Sequence, residues 1–82
     1  MPIYLAILDI IDSSTQLLGW YGIDTRLGRR GIIVEENLVR VLDSLIQQGY
    51  LEHRTHAAYP HGIYLITPSG KTFLAERKVI EQ

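Results

Sequence analysis

The clearest periodicity in the chain lies between Glu35 and Gln48. Leu38, Val41, Leu42, Leu45 and Ile46 recur there at i, i+3, i+4, i+7 and i+8, which is one apolar stripe of a helix. The pattern predicts a helix over about residues 34–48, with Glu35 and Glu36 at its positive end and Gly49 just past its last turn. Upstream, Tyr4, Ile7, Leu8 and Ile11 form a similar stripe between Pro2 and about Asp12, with Pro2 in the first turn. Ile3, Leu5 and Ile10 fall elsewhere around that helix, so it is apolar on more than one side. A second helix is expected from about Thr15 to Arg26 through Leu17, Leu18 and Tyr21, weakened by Gly19 and Gly22. Gly28 and Gly31 then bracket Arg29 and Arg30 in a loop.

Downstream of Gly49 the period changes. Tyr50 to about Thr55 and Ile63 to Ile66 read as two strands. Tyr59-Pro60-His61-Gly62 reads as the turn between them, with proline at the second position and glycine at the fourth. Thr67 and Pro68 open a short last helix as cap and first residue, with Phe73 and Leu74 facing inward. Lys78 to Gln82 are expected to fray. The whole, residues 1–82, is expected to be one domain of α+β class, mainly α: three helices, a β-hairpin and a short C-terminal helix.

Two local stretches sharpen this order of elements. Leu42-Asp43-Ser44-Leu45-Ile46-Gln47-Gln48-Gly49-Tyr50-Leu51 resembles the end of the recognition helix in bacterial and archaeal winged helix-turn-helix regulators. Tyr64-Leu65-Ile66-Thr67-Pro68-Ser69-Gly70-Lys71-Thr72-Phe73-Leu74 resembles their exit from the wing. MarR-like and PadR-like transcriptional regulators are the families resembled, over roughly residues 3–76. The resemblance implies double-stranded DNA as partner, with the third helix in the major groove and the hairpin on the backbone or minor groove. It implies a small sequence-specific regulator, a repressor. The alternative expectation is a winged-helix module that binds protein instead of DNA.

Composition adjusts the picture in places. Apolar residues are 46% and charged residues 21% of the chain, ordinary globular usage. The absence of cysteine excludes disulfides and thiolate sites and suits a reducing, cytoplasmic setting. No apolar run approaches a membrane span. Eight basic residues against nine acidic ones, net charge −1, run against a polyanion binder.

The candidate DNA-binding residues are therefore local. Asn37, Arg40 and Ser44 share the side of the third helix away from its stripe, and arginine and asparagine can bond guanine and adenine edges in bidentate fashion. Arg26, Arg29 and Arg30 form the densest basic cluster, expected in the loop before that helix as backbone contacts. Arg54, His56 and His61 are expected at the wing tip, and Lys71, Arg77 and Lys78 as plain surface. Glu35 and Glu36 oppose the DNA reading, since two carboxylates repel phosphate. His53 and His56, three apart, point to opposite faces of a strand, so no metal site is expected. No catalytic motif or cofactor signature is expected either, and the sequence leaves any effector ligand open, with a pocket between the first two helices as its place. Finally, Ile3, Leu5 and Ile10 are expected to pair with a second copy, because a surplus apolar face seldom stays in water.

Overall fold

The first helix decides the architecture. In the computed structural model, which describes residues 3–81 and the side chains of residues 3–77, α1 runs Ile3–Ser13. Leu5, Ala6, Ile7, Leu8, Ile10 and Ile11 are all buried. A helix apolar around most of its girth has to lie inside the fold. α1 does so by packing against α2 (Trp20–Arg29), β2 (Tyr59–Ile66) and α4 (Pro68–Glu81). The expected surplus face on Leu5 and Ile10 is thus corrected: they are 6% and 2% exposed within one chain. Ile3 is half-buried against the same core. The readings of Pro2 in the first turn and of Gln82 fall outside the described residues, as does that of the Lys78 side chain.

With α3 (Leu38–Gln47) and β1 (Leu51–His56), the molecule is a small α+β domain, mainly helical: four helices and one two-stranded antiparallel hairpin. Among the described residues no helix is long and apolar enough to cross a membrane.

Several boundaries differ from expectation, each for a local reason. α2 begins at Trp20, not Thr15. Gly19 caps it in extended conformation, and Leu18 pairs with β2: the Tyr64 amide donates to the Leu18 carbonyl at 2.9 Å. The Tyr59 hydroxyl donates to the Leu17 carbonyl alongside (3.2 Å). The chain between α1 and α2 is therefore laid along β2, from Tyr64 toward the turn end of the hairpin. At its other end α2 continues through Gly28 to Arg29, so Arg26 and Arg29 are helical and Arg30 is the cap. Gly31, at φ 74°, ends the helix: its amide donates to the Gly28 carbonyl and the Ile32 amide to that of Leu27. This pair of bonds needs a left-handed residue, which glycine adopts without penalty. Gly49, at φ 84°, ends α3 by the same two bonds, to Ile46 and Leu45.

α3 starts at Leu38, because Asn37 caps it through a bond from the Val39 amide to Asn37 Oδ1 (2.9 Å). Glu35 and Glu36 lie in the preceding loop and not in the first turn. The buried stripe is Leu38, Val41, Leu42 and Leu45.

The hairpin turns at Ala57-Ala58, between His56 and its partner Tyr59. Pro60, His61 and Gly62 belong to β2, where they bulge opposite Thr55. Gly62 has φ 79°, and a Cβ there would stand 2.6 Å from the Arg54 carbonyl oxygen. The turn-like tripeptide is thus used to bend a strand. Thr67 caps α4 as expected, its Oγ1 accepting from the Gly70 amide (3.0 Å). α4 is not short. Its 14 residues make it the longest element, and it covers part of α1.

Candidate nucleic-acid interface

The outward side of α3 carries Asn37, Arg40, Asp43 and Gln47, all exposed. Asn37 is engaged as the cap. Ser44 is half-buried, and its hydroxyl accepts from the Gln48 side chain (3.3 Å). Arg40 stands apart: among the described residues it has no hydrogen-bond or ion-pair partner. A free guanidinium on a helix whose opposite side is locked into the core is geometrically able to reach a base edge or a phosphate. Asp43, one turn further along, opposes phosphate from the same side.

The first strand of the hairpin packs against α3. From His53 onward every residue of β1 is exposed. Arg54 pairs with Glu52 of the same strand face, so its charge is largely offset. His56 Nδ1 accepts from the Ala58 amide (3.0 Å), which ties it to the turn. The ring of His53 lies 4.8 Å from that of Tyr64 and its Nε2 is 2.8 Å from the His61 carbonyl oxygen. His53 thus braces the bulge and His56 the turn. Among the described residues no three His, Cys, Asp or Glu side chains gather as a metal set.

Tyr64 links the hairpin to α3 electrostatically. Burial pushes its hydroxyl above the ordinary value of 10.0, and the Asp43 carboxylate adds to the shift. A folded-state value above the unfolded one gives stability that is full below pH 10 and is lost as pH rises through the folded value. The urea midpoint should therefore fall more steeply above about pH 10 in the wild type than in Tyr64→Phe. Equal slopes for the two proteins would show that Tyr64 titrates like free tyrosine.

The arginine cluster faces another way. Arg26, Arg29 and Arg30 lie at i, i+3 and i+4, one side of the last turn of α2, and line a cleft of ≈ 250 Å³ with Ile10 and Ser13 of α1. Arg30 is held by Asp9 (2.9 Å) and Arg26 donates to the Gln16 side chain (3.4 Å). The structure brings these three arginines together, but against α1, in a cleft that Arg40 does not line.

A feature unanticipated by sequence lies before α3. A groove of ≈ 210 Å³ is lined by Ile3, Tyr4, Val34 and Val41, with Ile33, Glu35 and Glu36 completing it. Ile33 is 85% exposed. The run Ile32-Ile33-Val34 was the available signal, three β-branched residues where a loop normally places polar ones. No family model matches this chain, and no curated protein and no solved structure does either.

Proposed function

We propose that the chain is a winged helix domain of MarR/PadR-like type, a cytoplasmic, non-catalytic regulator that binds double-stranded DNA with α3 in the major groove and the hairpin on the adjacent backbone or minor groove. The free Arg40 on the outward side of α3 carries the reading. The exposed outer half of β1, in a strand that packs against α3, supports it, because its side chains are open to a duplex that α3 would enter. Occupying a promoter in this way excludes other proteins, which is repression. Homodimerisation through Leu5 and Ile10 is not carried into the reading, since both are buried within one chain.

A duplex selected from a random pool tests the proposal. Arg40→Ala should lose about 1–3 kcal/mol of preference for the selected sequence over a scrambled one. Binding to random duplex should weaken with salt, each neutralised phosphate adding about 0.9 to the log–log slope. Equal losses on both duplexes would remove Arg40 from base reading. Absence of binding at low salt would leave the second reading, a protein-binding module. The apolar groove bordered by Glu35 and Glu36 favours that alternative, because carboxylates repel DNA and an exposed Ile33 suits a protein contact.

A further inference from the structure

We infer that the cleft between the C-terminal half of α1 and the last turn of α2 is a binding site for a phosphate group, held by Arg26, Arg29 and the Ser13 hydroxyl. The inference goes beyond the duplex reading, because the phosphate is either that of a DNA backbone or that of a free phosphorylated small molecule.

Charge is the first ground. Arg26, Arg29 and Arg30 crowd one side of a single helical turn, where like charges repel. The half-charge at a helix C-terminus accounts for one basic side chain there, not for three. Asp9 offsets Arg30. Arg26 meets only the neutral Gln16 amide, at 3.4 Å. Arg29 is exposed, with no partner among the described residues. Two guanidinium charges are left uncompensated, matching the roughly −2 charge of a phosphate monoester at neutral pH.

Shape is the second ground. The guanidinium fork suits phosphate oxygens in bidentate geometry. Ile10, 2% exposed, forms an apolar wall that strengthens charge interactions beside it. Ser13 Oγ now donates to the Asp9 carbonyl (2.7 Å) and can turn its proton to a ligand oxygen. The Arg30–Asp9 bridge fixes the far side of the cleft and ties α2 to α1, so the site is preformed.

The test uses the full chain, labelled with nitrogen-15, and sodium pyrophosphate, titrated against sodium chloride at equal ionic strength. Saturable shifts at one site, on the Arg26 and Arg29 side chains and the Ser13 amide with Arg40 unmoved, are expected. Arg29→Gln should raise the dissociation constant about tenfold, and Arg29→Lys should raise it less. The backbone amide spectrum of each variant reports its fold in the same experiment. Unsaturable shifts spread over all arginines, or an affinity unchanged in Arg29→Gln, would overturn the site. Addition of random duplex then identifies the source. Displacement of duplex by pyrophosphate assigns the site to DNA backbone, and an undisturbed or non-binding duplex assigns it to a free phosphorylated molecule. The duplex reading itself stands on the salt slope and on Arg40, so each can fail without the other.

Discussion

Leu5→Glu is expected to leave the chain largely unfolded at room temperature. Leu5 is 6% exposed on α1, the helix that α2, β2 and α4 enclose. Removing the leucine forfeits about 1.5–3 kcal/mol of burial. The glutamate cannot stay ionised there without a partner, and protonating it at pH 7 costs about 3.7 kcal/mol from its ordinary pKa. Together these approach the whole stability of a domain this size, about 4–12 kcal/mol. Far-UV circular dichroism and sedimentation at matched concentration check it. A variant that keeps its helical signal and wild-type melting temperature while splitting a dimer would place Leu5 at an interface between copies, against the burial seen here.

Leu42→Ala should lower stability by about 2–5 kcal/mol, through lost transfer energy and the cavity left behind. Leu42 is 0% exposed in the middle of the α3 stripe, with Val41 and Leu45 beside it. For a domain of this length each kcal/mol moves the melting temperature by about 4–8 °C, so a loss of at least about 8 °C is expected. Val39→Ala is the control: Val39 is 41% exposed on the same helix, and its truncation should change stability by no more than about 0.5 kcal/mol. Similar melting shifts for the two would mean that the stripe is drawn on the wrong side of α3.

The α3 stripe was legible because nothing competes with it: four of its apolar positions are the four that the core takes up. Gly49 and Thr67 were legible too, since a left-handed stop and a hydroxyl cap depend on their immediate neighbours. α1 was misread at the tertiary level. Its excess of apolar side chains was visible, but whether α4 or a second copy covers them depends on how far α4 runs. The hairpin turn was misplaced because Pro60, His61 and Gly62 carry turn chemistry and Ala57-Ala58 carries none, whereas the strand bulge uses the same residues. Leu18 was counted into a helix because one residue of extended pairing leaves no period to detect. Arg26, Arg29 and Arg30 were read as a loop cluster, though their i, i+3, i+4 spacing is that of one helical side. Gly28 hid that the helix continues through it, and with it the direction in which those arginines point.

The contact between α1 and α4 joins the first helix of the structure to the last. During synthesis α1 emerges from the ribosome with its apolar girth uncovered, and the part of it that α4 packs on stays so until α4 has been made. In that interval it is a target for chaperones and for its own neighbours on the polysome. Arrest of translation just after β2 should therefore yield a nascent chain that is protease-sensitive throughout, and release of the last helix should protect the whole domain in one step.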